Sequence, residues 1–224
     1  MRSEEMDKNK EGIEYLQQGK LEKAIQMFTE AIDENPKDPV GYVNFANVLL
    51  SVGEIQRAEQ FLKRAVELDD QATSAYYSYG NLYFNQEKYP EAAQMFQKAL
   101  SIGPETNDLH YMLGMCFVSL GRNELALPYL QRSVELDDSD VEAKFQYGLA
   151  LAQTGVLEEA VKTLTEVTEA DPKHADAFYN LGVAYAGREN ELEKALGYFE
   201  QALKIQPDHL LAGNGKKLII QALE

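Results

Sequence analysis

The sequence predicts an all-α protein of stacked helix hairpins, and three observations carry that prediction. Small residues recur every 34 positions, at Gly12, Ala46, Gly80, Gly114, Gly148 and Gly182. Within each period the apolar residues keep helical spacing, as Ala24, Phe28 and Ala31 do at i, i+4 and i+7. Gly19, Gly53, Gly121 and Gly155 stand between the two apolar stripes of their periods, where a helix C-terminus favours a residue that accepts a left-handed conformation. Each period is thus two antiparallel helices joined by a tight turn, and no strand-like alternation competes with that reading.

The elements follow in order. In unit 5–38, Gly12 and Tyr15 mark the first helix, Ala24, Phe28 and Ala31 the second, and Pro36 the exit. Unit 39–72 repeats this with Ala46 and Leu49, then Ala58, Leu62 and Ala65, then Asp70. Unit 73–106 has Gly80 and Tyr83, then Ala92, Phe96 and Ala99, then Pro104. Unit 107–140 has Gly114 and Phe117, then Ala126, Leu130 and Ser133, then Asp138. Unit 141–174 has Gly148 and Leu151, then Ala160, Leu164 and Val167, then Pro172. Unit 175–209 has Gly182 and Tyr185, then Ala195, Phe199 and Ala202, then Pro207, with one extra residue placed in its intra-hairpin turn, where an insertion costs little. Capping residues gather before the first helices, as in Asp69-Asp70, Thr106-Asn107 and Ser139-Asp140. Pro128 falls inside a second helix and removes one amide donor, which predicts a local kink. Residues 1–4 are expected to be a disordered N-terminus, 5–209 one continuous solenoid, and 210–224 a helix that caps the last hairpin.

The small columns explain the packing. Gly or Ala on the inner side of a helix lets backbones approach closely, and a Phe, Tyr or Leu fills the space beside it. A single hairpin has no second layer to bury its apolar face, so hairpins must stack in a row, each stabilised mainly by its neighbours. The product is an elongated solenoid without one central core.

These six columns resemble the tetratricopeptide repeat (TPR) family over residues 5 to 209, in both the length of the unit and the order of small and large residues. The resemblance implies a right-handed superhelix. The large aromatic that the family carries early in the first helix is present as Tyr42, Tyr76 and Phe178 but is Lys8, His110 and Lys144 elsewhere.

Composition bounds the function. The chain of 224 residues carries 37 Asp plus Glu against 21 Lys plus Arg, a formal charge of −16, which disfavours direct binding to nucleic acid or anionic membranes. With 45% apolar residues it is a folding composition. A lone Cys116 closes no intrachain disulfide and supplies no thiolate cage, and the polar N-terminus lacks the apolar core of a secretory signal, so a cytoplasmic location is expected. No phosphate loop, paired metal-ligand spacing or nucleophile elbow is present; no cofactor, metal or catalytic residue is predicted, and the protein is expected not to be an enzyme.

Function is expected on the first-helix faces not used for packing, which line the inner groove in the family that the chain resembles. One such column holds Tyr77, Tyr111, Phe145 and Tyr179, a ladder of rings suited to gripping a peptide. Asp108, Glu142 and Asp176 recur at 34-residue intervals beside it, and no Lys or Arg stands in the corresponding positions. In the family, Asn side chains at such places hold the backbone of a bound peptide, which implies that role for Asn44, Asn47, Asn81 and Asn180. Phe84 and Met115 complete the candidate peptide-binding set. Two plainer readings stay open: Tyr and Asn are generic at these places in the family, and carboxylates are favourable at any helix N-terminus.

Some family members clamp the terminal carboxylate of a chaperone tail with Lys and Arg. The matching positions here, Val43 with Asn47, Ser78, and Asp108 with Met112, supply no cation, so that role is not expected. The leading expectation is a non-enzymatic scaffold or adaptor whose acidic, aromatic-lined groove takes a Lys/Arg-rich segment of another protein. The alternative is self-association: the tail, with Lys216 and Lys217 before Leu218, Ile219 and Ile220, would dock through residues 214–224 in the groove of a second copy.

Overall fold

A computed structural model of the chain describes residues 7–187 and 189–224. The expected disordered segment 1–4 lies outside the described residues. Among the described residues the chain forms thirteen α-helices and no strand. They divide into two compact units, Met1–Glu105 and Thr106–Glu224. The first unit holds α1 (Lys8–Gln17), α2 (Leu21–Glu34), α3 (Pro39–Ser51), α4 (Ile55–Leu68), α5 (Thr73–Asn85) and α6 (Tyr89–Ile102). The second holds α7 (Asn107–Ser119), α8 (Asn123–Leu136), α9 (Val141–Gln153), α10 (Leu157–Ala170), α11 (Ala175–Ala186), α12 (Leu192–Ile205) and α13 (Leu210–Leu223).

Each odd helix from α1 to α11 pairs with the even helix after it, and that even helix then meets the next odd one within the unit. The reason is visible at the small column. A Cβ on Gly12 would lie 2.4 Å from the Phe28 ring, one on Gly80 2.5 Å from Phe96, and one on Gly182 2.7 Å from Phe199. The two helices of a hairpin therefore close onto each other only because that side chain is absent. Phe28, Phe96, Leu62, Leu130 and Leu164 are buried completely, and so are the Ala residues of the third column. The core is a string of clusters rather than one centre: Ala24, Phe28, Ala46, Leu49, Leu62 and Leu82 in the first unit, and three successive groups around Leu130, Leu164 and Phe199 in the second.

The turns obey the same repeat. Gly19, Gly53, Gly121 and Gly155 take φ of +70°, +80°, +68° and +84°, and the residue after each donates its amide back across the turn, as Lys20 does to the Tyr15 carbonyl at 2.8 Å. In the third hairpin the same place is held by Glu87 at φ +59°, a conformation that costs a residue with a Cβ about 1 kcal/mol. The inserted residue falls between α11 and α12, where the turn lengthens to include a short 3-10 segment, Glu189–Glu191, and α11 is one residue shorter than α9. α8 runs as one helix from Asn123 to Leu136 with Pro128 inside it.

Two of the three departures from the large aromatic column, Lys8 and Lys144, are accommodated by charge, whereas His110 is buried with its ring 6.2 Å from that of Tyr129. Lys8 reaches Glu30 of α2 at 2.9 Å, and Lys144 pairs with Asp138 and with Glu166 of α10, the latter at 3.9 Å. α13 packs across α12 and α11. Its Ala212 and Ile219 are buried, its Gly215 lies where a Cβ would come 2.7 Å from the Phe199 ring, and its Lys216 pairs with Glu200 at 2.9 Å. α13 therefore packs on the last hairpin, using Gly215, Lys216 and Ile219 from the stretch 214–224 and leaving Lys217, Leu218 and Ile220 exposed.

Candidate functional site

Within the second unit the first helices lie in sequence order, α9 against α11 and α11 against α13. Helix periodicity then turns three columns into three rows on their common exposed face. The acidic row is Asp108, Glu142 and Asp176, all exposed and each the second residue of its helix. Glu142 accepts from Gln146 Nε2 at 2.8 Å. Asp176 Oδ1 stands 3.1 Å from His209 Nε2, and the other ring nitrogen of His209 accepts the Ala212 amide at the start of α13, so one histidine ties the acidic row to the cap.

The ring row behaves unevenly. Tyr111 is half-buried, and burial, followed by the charges of Glu142 and Asp140, pushes its phenol up to about 12. That cause places a ring of one helix within the field of the next helix's carboxylates. Tyr179 is half-buried against Phe199 and His209, with ring centroids 5.9 and 5.1 Å away. Phe145 differs: it is 7% exposed, packed among Leu164, Val167, Ala177 and Leu181, with its ring 4.3 Å from that of His174. Its ring belongs to the core of the unit more than to its surface. Met115, in the column that continues through Leu149 to Val183, is half-buried, and Asn180 donates to the Asp176 carbonyl of its own helix at 2.8 Å.

In the first unit α1 meets α3 and α3 meets α5. Asn44 donates its side-chain amide to the buried Asn9 at 3.0 Å. Asn47 is exposed and Asn81 half-buried, while Tyr77 lies 5.7 Å from Phe96 and Phe84 makes an edge contact with Tyr89 at 5.3 Å. Two of the four asparagines, Asn44 and Asn180, thus hold other parts of the chain.

Cys116 is fully buried, and burial pushes its thiol up to about 12, far from a reactive thiolate. Among the described residues no helix is long and apolar enough to cross a membrane.

Sequence reasoning left out Leu211 of α13 and offered Asn214 and Leu218 only as part of a docking tail, not as the lining of a site. With Tyr179 and Val183 of α11 they line an open apolar depression of about 270 Å³ floored by Phe199 and Ile219. The signal was available: after the one-residue insertion, Leu211 falls in the column of Asp176, and Leu218 in that of Val183.

Family models described as tetratricopeptide repeat match residues 15–79 and, in overlapping copies, 77–141, 111–163 and 145–209. The chain belongs to the tetratricopeptide repeat family. Its fold class is accordingly the all-α superhelix of TPR hairpins with a capping helix. Among solved structures, this TPR chain is similar to YrrB, a TPR protein with an unusual peptide-binding site: 55% identity, 85% of this chain and 97% of that one covered, TM-score 0.79. The curated TPR repeat-containing protein YrrB of Bacillus subtilis (strain 168) is 54% identical over 37 residues, a stretch covering 16% of this chain and 18% of the relative's length. PilF of Pseudomonas aeruginosa shares the fold at 20% identity, with TM-score 0.80 over 97% of this chain and 96% of that one.

Proposed function

We propose that this TPR protein is a non-enzymatic scaffold whose second unit binds a Lys/Arg-rich peptide segment of a partner protein. The observation that carries the reading is the row of exposed carboxylates Asp108, Glu142 and Asp176 beside the rings of Tyr111 and Tyr179. No Lys or Arg occupies the same columns in the second unit, so the local field is uniformly negative and rewards a cationic ligand. The ring faces supply contact area at small entropic cost. In the first unit, Asn47, Asn81, Tyr77 and Phe84 are proposed as a separate, more neutral contact surface, with Asn44 as its internal support. The peptide-binding site of YrrB supports a binding role for the similar chain described here. A cytoplasmic location fits the absence of any need for disulfides.

The test is anisotropy titration of a labelled Lys/Arg-rich peptide against the native protein and the triple variant Asp108→Asn, Glu142→Gln, Asp176→Asn. At up to about 1 kcal/mol for each exposed charge pair, the variant should bind roughly tenfold or more weakly, with a flatter salt dependence. Equal affinity for the two proteins would overturn the reading. Asp176→Asn keeps an acceptor for His209, which protects the cap from the substitution.

A further inference from the structure

We infer that the depression between α11 and α13 receives a large apolar side chain of the same bound segment, so that α13 is a ligand-binding helix as well as a cap. The inference rests on the proposed binding of a basic segment and specifies a second requirement for it. Val183, Leu211 and Leu218 are 47%, 57% and 66% exposed, a concentration of large apolar side chains on one depression whose floor, Phe199 and Ile219, is buried. Water covers these side chains unless something else does, and their burial is favourable in proportion to area.

Three features identify the occupant. First, the row Asp108, Glu142 and Asp176 becomes Leu211 on α13, so the acidic edge runs directly into the apolar depression. Second, Asp176 stands next to the lining: it lies 3.1 Å from His209, which caps α13 and whose ring centroid is 5.1 Å from that of Tyr179 in the depression. A ligand seated there meets a carboxylate beside an apolar floor, which matches a segment with Lys or Arg next to Leu, Ile, Met or Phe. Third, the face of α13 in the register of Leu181 and Gly182 carries Lys216, paired back to Glu200 of α12 at 2.9 Å, and the exposed Lys217, where the earlier hairpins receive a second helix. That face discourages further helix stacking, whereas the depression lies on the other side, continuous with the acidic row.

The test compares two labelled Lys/Arg-rich peptides that differ only in one Leu or Ser among the cations. The native protein should bind the Leu peptide at least about tenfold more tightly than the Ser peptide, the scale expected for burying most of one such side chain. The double variant L211Q/L218Q alters two exposed side chains and should retain native helicity by circular dichroism. It should bind both peptides with the affinity that the native protein shows for the Ser peptide. The charge-neutralised triple variant should weaken both peptides and keep the Leu preference. Tight binding of both peptides without a Leu preference would overturn the inference and leave the electrostatic reading standing. Binding of neither peptide would overturn both. A dimer of the native protein that L211Q/L218Q dissolves would assign the depression to a second copy and likewise overturn the inference.

Discussion

The two units share one packing scheme and differ on the face that packing leaves free. In the first unit that face is polar and partly occupied with itself, Asn44 holding Asn9 and Tyr77 leaning on Phe96. In the second it carries a row of exposed carboxylates, two half-buried rings of which Tyr111 lies in their field, and an apolar depression at α13. The columns that close hairpins are under a steric constraint measured in tenths of an ångström. The columns beside them are held less tightly: some side chains pack on neighbours, as Phe145 does, while Asp108, Glu142 and Asp176 stay exposed, so the chemistry at the exposed positions can change without disturbing the fold. Repeat proteins separate stability from specificity in this way because each hairpin interacts only with its neighbours.

The largest effect that would sharpen this comparison lies in the closing columns. Gly80→Ala in the first unit would place a Cβ 2.5 Å from a buried phenylalanine ring, whereas Gly148→Ala in the second would place it 3.0 Å from the tip of Leu164. Denaturant melts should show a loss of about 1–3 kcal/mol for the first, as for other overpacked cores, and a smaller loss for the second. Equal losses would mean that the distance from the added Cβ to the facing side chain does not set the cost of closing a hairpin. The turns give a smaller and opposite pair. Glu87→Gly should stabilise the protein by about 1 kcal/mol, because it relieves a left-handed residue in the first unit, and Gly155→Ala should destabilise it by about the same amount. Stabilisation by both substitutions would break the equivalence of the turns.

The smallest effect tests the field of the second unit. Tyr111 should ionise near pH 12 in the folded protein, as read by the ultraviolet difference between native protein and Tyr111→Phe. Glu142→Gln should lower that value, and no change would remove the carboxylate from the vicinity of the ring. The folded state keeps the phenol protonated where an unfolded tyrosine, with a pKa near 10, has begun to ionise. The contribution to stability is therefore fully present below about pH 10 and is lost as the pH rises towards 12.

The repeat length, the hairpin, the turn glycines and the small-to-large pairing were legible in the sequence. Each is a local or nearest-neighbour requirement that reappears along the chain, six times for the small-to-large pairing and four for the turn glycines, and repetition lifts it above the noise of a single motif. The acidic row was legible for the same reason. The roles of individual side chains were not. Phe145 and Tyr179 share a column, yet the first is spent in the core and the second remains half-exposed, because Phe145 lies between Leu164 and His174 while Tyr179 faces the depression beside α13. Asn44 and Asn47 lie one turn apart, and only the first meets a buried asparagine across the hairpins.

By itself, then, the sequence determined which residues must be small, which must be large and where the chain must turn, because those demands are set by helix geometry and recur with it. Only the tertiary structure decided which free-face side chains are consumed by neighbours and which are left for a partner. It also decided that α13 adds Leu211 and Leu218 to the second unit's exposed face. Both outcomes depend on how far apart two helices sit and what fills the space between them, and that distance is a product of packing many side chains at once.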